Sequence, residues 1–209
     1  ISVIIAPEAH NHELIPNEDS LSFEFDDTNI LSENRFSGLD RVEGGPRVAY
    51  GIQTGVYGAG NGFSSLFIGQ SYRLIKSNDF GTETGLNEHF SDIVGRLRIN
   101  PNPKLSTIYR FSIDRKRLNP RRNELKTIAK TRVGVLELNY LSVDQQNSAD
   151  IVNKEDKFGD REEITLGFNS QITSLWQFGI DTRRDLATGG GALRHGAFLK
   201  YKDECFEFS

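Results

Sequence analysis

Apolar and polar residues alternate one by one along most of this chain, and nowhere do apolar positions recur at helical spacing. The alternation predicts strands at 47–57 (RVAYGIQTGVY), 63–73 (FSSLFIGQSYR), 92–99 (DIVGRLRI) and 105–114 (LSTIYRFSID). It predicts more at 132–141 (RVGVLELNYL), 162–170 (EEITLGFNS), 175–183 (LWQFGIDTR) and 192–201 (ALRHGAFLKY). It marks 21–25 (LSFEF) just as clearly, and weaker alternation at 123–130 and a start at 205–208 bring the expected total to about ten to twelve. Several segments run 9–11 residues. That is enough for a tilted strand to cross a bilayer core, whereas soluble strands are usually about 5–6 residues long.

The connections come in two sizes that alternate. Short ones occupy 58–62 (GAGNG), 100–104 (NPNPK), the neighbourhood of Thr131, 171–174 and 202–204 (KDE). Long polar ones occupy 26–46, 74–91, 115–122, 143–161 and 184–191. Short and long connections therefore fall at opposite ends of one sheet. Outer-membrane barrels have this asymmetry, with short periplasmic turns and longer outer loops. A soluble sandwich has no physical reason to gather its short turns at one end.

The faces fit the same picture. Along 105–114, Leu105, Thr107, Tyr109, Phe111 and Ile113 share one side, against Ser106, Ile108, Arg110, Ser112 and Asp114. Along 47–57, Val48, Tyr50, Ile52, Thr54 and Val56 oppose Arg47, Ala49, Gly51, Gln53 and Gly55. The segment 132–141 departs from the pattern, because Glu137 and Asn139 share a side with Val133 and Val135. Alternation alone leaves the medium open: in a sandwich the arginines of GRLRINPNPKLSTIYRF point out, and in a barrel they point in. With strand length and loop size added, the expected fold is all-β: an antiparallel up-and-down transmembrane β-barrel segment, incomplete as a barrel. Arg96, Arg98, Arg110, Asp114, Glu163 and Asp181 are then lumen-facing candidates. Ile52, Leu97, Tyr109, Phe111, Leu166 and Phe168 are lipid-facing candidates.

Composition narrows the classes. The 209 residues carry a net charge of -4 with both signs dispersed, so there is no basic stripe for nucleic acid. No apolar run reaches the length of about 18 residues that a transmembrane helix needs. The sequence holds no methionine and is read as an internal piece, and its start (ISVIIAPEA) lacks the basic end of a signal peptide. The single cysteine, Cys205, is either an inert buried thiol or half of a disulfide whose partner lies elsewhere.

Catalytic and metal chemistry find little support. His10, Asn11, His12 and Glu13 cluster in sequence, but spacing supplies no third metal ligand. His195 stands alone in a strand, and no motif joins Ser20, Ser22 or Ser112 to a histidine. GAGNG at 58–62 lacks the Lys-Ser/Thr ending of a phosphate loop and reads as a hairpin turn. No catalytic residue, metal or cofactor is expected.

Residues 16–45 (PNEDSLSFEFDDTNILSENRFSGLDRVEGG) carry a more specific signal. The block F-S-G-x-D-R-V-E-x-G, Phe36 to Gly45, precedes the arginine-led strand RVAYGIQTG. With FIGQSYRL at 67–74, SDIVGRLRINPN at 91–102, LNPRRNEL at 118–125 and LKYKDECFEFS at 199–209, it resembles the lipopolysaccharide-assembly outer-membrane protein family, LptD (OstA/Imp), in its C-terminal barrel. The resemblance implies lipopolysaccharide transport and assembly in the outer membrane of a Gram-negative bacterium. It also implies a plug lipoprotein in the lumen and a periplasmic lipopolysaccharide-bridge protein that meets an N-terminal jellyroll. Residues 1–209 are expected to be part of the barrel domain, with the jellyroll and the barrel-closing strands absent. In the family, a cysteine near this last turn pairs with the N-terminal domain, which gives Cys205 a disulfide role. The competing readings are a generic outer-membrane channel or barrel enzyme, and a soluble β-sandwich that binds carbohydrate.

Overall fold

The computed structural model describes residues 1–8, 11, 18, 25–36, 38–77, 80, 85–144 and 161–208. Among these residues, eleven strands form one antiparallel sheet in which every strand lies beside its neighbours in sequence. They are β1 (Ser2–Ile4), β2 (Arg47–Tyr57), β3 (Phe63–Arg73), β4 (Ile93–Asn102), β5 (Leu105–Ile113) and β6 (Pro120–Lys130). Then follow β7 (Val135–Val143), β8 (Arg161–Gln171), β9 (Trp176–Asp185), β10 (Ala192–Lys202) and β11 (Glu207–Phe208). The sheet is open, as an incomplete barrel is, because β1 and β11 do not pair with each other.

The structure refines several expectations. β1 is a strand that alternation did not mark, because three residues are too few to show a period; it pairs with Arg47, Val48 and Ala49 of β2. β6 is a full 11-residue strand, although its own alternation is weak. Its register is imposed by both neighbours, with Tyr109 opposite Leu125 and Leu125 opposite Tyr140. β4 runs through Pro101, where the pairing slips between Ile99 and Asn102. A proline donates nothing to a ladder and is tolerated at such an irregularity, so the hairpin tightens to Pro103 and Lys104 rather than spanning 100–104. GAGNG is the β2–β3 hairpin: Gly58 N–H donates to Gly62 O (2.8 Å), with Gly60 and Asn61 at positive φ. Of the strand expected at 21–25, only Phe25 is described, and it is buried outside any strand.

Register sorts the side chains onto two faces. Arg96 lies opposite Arg110, and Leu97 opposite Tyr109. Carried from strand to strand, one face collects Ile52, Ile68, Leu97, Phe111, Leu136, Leu166 and Ile180. Gly134, Leu136, Leu138 and Tyr140 belong to this apolar side, so the irregular reading of β7 resolves: Glu137 and Asn139 join the charged face. Many apolar-face side chains are bare; Ile52 is 78% exposed and Val56 69%.

The small buried core lies on the opposite, charged face. Phe25 and Ile30, with Phe80 and Leu86 of the β3–β4 connection, pack against Ala49 and Val94, flanked by Phe36 and Phe67. The glycines of this face make the approach possible: the Ile30 side chain occupies the space that a Cβ on Gly69 would fill. Residues 25–36 and 38–45, between β1 and β2, thus form a strap across β2–β5.

Candidate functional site

The strap and the strand face beneath it meet through charge as well as oil. Asp27 points into the sheet with its side chain fully buried, 2.9 Å from Arg96 Nη1 on β4 and 3.2 Å from Arg110 Nε on β5. Burial raises the Asp27 pKa above its ordinary value, while the two guanidiniums act to lower it. Arg110 also meets Glu124 of β6 at 3.2 Å. One strap carboxylate therefore ties together two adjacent strands whose arginines sit directly opposite each other, a juxtaposition that repels without it.

A second anchor lies at the β2 end of the strap. Glu43, from the Phe36–Gly45 block, is buried among Arg35 (2.5 Å), Arg47 (3.4 Å) and Arg73. Three buried cations around one carboxylate need further acceptors. Carbonyl oxygens supply them: Arg73 Nη1 donates to Gly44 O at 2.7 Å, and Arg47 donates to Glu33 O and Glu43 O. Aromatic rings complete the shell, with Arg35 over Phe25 at 5.4 Å and Arg73 over Phe80 at 5.7 Å.

Farther round the sheet no described segment crosses the charged face, and its charges pair locally. Glu163 accepts from Arg161 and Arg183, and Asp181 lies 3.3 Å from Arg194. Asp114 sits just past β5, in the β5–β6 connection, where it shares Arg121 with the buried Asp92. Burial pushes Asp92 up to about 6 against the opposing effect of Arg121. Burial also acts to raise Asp114, but hydrogen bonds from the Arg117 N–H and from Arg121 hold it below the usual carboxylate range.

All six charged candidates therefore project to one face or its rim, and the six apolar candidates Ile52, Leu97, Tyr109, Phe111, Leu166 and Phe168 to the other. The charged candidates do not form one network. They split into separate groups, each completed by a residue that alternation did not single out: Asp27, Arg121, Arg183 or Arg194. Arg98 joins no ion pair among the described residues. Asp27 and Glu43 were missed because an acid in a loop reads as solvated. The one available signal for Glu43 was its place inside the Phe36–Gly45 block.

The remaining candidates resolve simply. Cys205 is exposed and unpaired among the described residues, which removes the buried-thiol reading. His195 Nδ1 lies 3.0 Å from Thr182 Oγ1, a cross-strand contact on the apolar side. His10, His12, Glu13, Ser20 and Ser22 lie outside the described residues. Among the described residues, no three His, Cys, Asp or Glu side chains converge on a metal site.

A protein-family model described as LPS transport system D matches residues 1–176. Comparison with curated proteins returned no match.

Proposed function

From the premise that this chain belongs to the LptD family, LPS transport system D, we propose that it forms part of the wall of the barrel that passes lipopolysaccharide into the outer leaflet. Transport and assembly of lipopolysaccharide at the outer membrane is the function that membership in this family carries. In this reading the apolar face of the sheet meets lipid and the charged face lines the lumen. The short turns lie on the periplasmic side, and the long connections on the outer side.

The observation that carries the reading is the inverted placement of oil and charge. The buried core and the buried ion pairs share one face, while large apolar side chains stand bare on the other. In water, an apolar face that runs across adjacent strands is an association or membrane surface. Strands of 9–11 residues match the span of a bilayer core.

The strap between β1 and β2 fills the lumen beside β2–β5. The charged face of β6–β10, which no described segment crosses, is the surface offered to a plug lipoprotein. The lipopolysaccharide-bridge protein would meet the protein through an N-terminal jellyroll. Cys205, exposed in the turn before β11 at the short-turn end, would in this reading pair with a periplasmic cysteine.

Depletion of the full-length protein tests the reading. Lipopolysaccharide should disappear from the cell surface and accumulate behind the outer membrane, as measured by surface labelling against total lipopolysaccharide. Undiminished surface lipopolysaccharide in depleted cells would refute the proposal.

A further inference from the structure

The β5–β6 connection and the start of β6 form the most basic stretch of the chain: residues 114–122 (DRKRLNPRR) hold five cations and one acid. Arg121 is held between Asp92 and Asp114, and Arg122 lies 3.3 Å from Glu124. Lys116 shares Glu88 with Lys76, at 2.9 and 2.7 Å. Surplus positive charge therefore concentrates on Arg115 and Arg117, both exposed.

The backbone fixes how these side chains are displayed. Asp114 Oδ1 accepts from the N–H groups of Lys116 and Arg117, at 2.7 Å each. Leu118 N–H donates to Asp114 O, and Asp114 N–H to Asn119 O. Leu118 turns the tip at φ 56 and is 69% exposed, an apolar side chain held out among cations. The Arg115 guanidinium lies 4.5 Å over the Phe90 ring, which meets the Tyr72 ring in a tilted contact at 4.7 Å. Tyr72 projects to the apolar face, where it shares a side with Tyr50 and Ile52. A cleft of about 230 Å³ separates this loop from the β3–β4 connection, with Asn87, Glu88, Asp92 and Lys116 in its walls.

Cations above an aromatic ledge, at the border of an apolar face, match a molecule with an anionic head and an apolar body. A small free anion is a poorer fit, because it would leave the exposed Leu118 and the aromatic ledge without a contact. We propose that this rim loop binds the phosphate-bearing headgroup of a glycolipid in the outer leaflet, with Arg115 and Arg117 on phosphate and Phe90, Tyr72 and Leu118 against its apolar part. The inference rests on the reading that the long connections lie on the outer side.

The test uses the full-length protein in phosphatidylcholine nanodiscs doped with diphosphorylated lipid A, or with lipid A stripped of phosphate. A photo-crosslinker replaces Leu118. Wild-type loop residues should capture the diphosphorylated lipid, and Arg115→Gln with Arg117→Gln should weaken capture by about tenfold or more. Arg115→Lys with Arg117→Lys, which keeps the charge, should retain most of it and so controls for folding. Equal capture of the dephosphorylated lipid, wild-type capture by the glutamine variant, or full competition by inorganic phosphate would each overturn the inference. A separate arm labels Leu118→Cys in intact cells with a membrane-impermeant maleimide. No labelling means that the orientation reading has failed; labelling without phosphate-dependent capture means that only the headgroup inference has failed.

Discussion

Asp27 Oδ2 lies 2.9 Å from Arg96 Nη1, although a loop supplies one and the middle of a strand the other. The contact fixes the strap to the sheet and separates two arginines that register places side by side. Asp27→Asn should loosen the strap and destabilise the protein by about 1–3 kcal/mol, since both arginines are only partly buried and water can take over some of the lost interaction. Thermal unfolding in detergent, together with limited proteolysis between residues 25 and 46, measures both effects. Unchanged melting and cleavage would remove Asp27 as an anchor.

Glu43→Gln should cost more, about 3–5 kcal/mol, because it leaves Arg35, Arg47 and Arg73 buried without their shared carboxylate. The same unfolding measurement checks it. A loss no larger than that of Asp27→Asn would mean that the surrounding carbonyls and rings suffice for the three cations.

Phe111→Arg places a guanidinium on the apolar face at mid-strand, where a lipid-facing arginine costs about 2–4 kcal/mol. Folded barrel yield, read from the heat-modifiable gel shift of the full-length protein, should fall well below that of Arg98→Ser. Arg110→Ser is a poorer control, because it also strips Asp27 and Glu124 of a partner. If Arg98→Ser lowers the yield as much as Phe111→Arg, the two faces have been assigned to the wrong media.

The Phe111 ring covers Gly95, its neighbour across the β4–β5 ladder, so a Cβ there would overlap ring atoms. Gly95→Ala should destabilise by about 1–3 kcal/mol through this overpacking. Phe111→Leu in the same chain should recover part of the loss, since the smaller side chain can move aside. A double-mutant cycle with no coupling between the two sites would show that the ring does not need the glycine.

Asp92 makes a prediction about pH. Its folded-state pKa of about 6 lies above the ordinary 3.8. Its contribution to stability is therefore complete below the ordinary value and fades as pH rises through about 6. Asp114, held low, works the opposite way: its contribution is present above the ordinary value and is lost in stronger acid. Melting temperatures of wild type and Asp92→Asn, followed from about pH 4 to pH 7, should diverge over that interval. A constant offset between the two curves would show that Asp92 does not titrate there.

Much of this architecture is legible in residue order, for a local reason. A strand alternates its side chains with a period of two, so RVAYGIQTGVY and FSSLFIGQSYR mark β2 and β3 to the residue. The short turns are equally local, since Gly60 and Asn61 favour the positive φ that the β2–β3 hairpin needs. Elements lacking their own periodic signal were harder to read. β1 is too short, and β6 takes its register from β5 and β7.

The candidate site was only half legible for the same reason. Alternation puts Arg96, Arg98 and Arg110 on one face because period and parity are properties of the chain itself. It says nothing of Asp27, 69 and 83 positions away from Arg96 and Arg110, or of which loop folds back over which strands. The sequence by itself determined most of the strands, their faces and the alternation of loop sizes. Only the tertiary structure decided which acid meets which arginine. A buried ion pair is selected by desolvation and three-dimensional approach, and neither is written in the local order of residues.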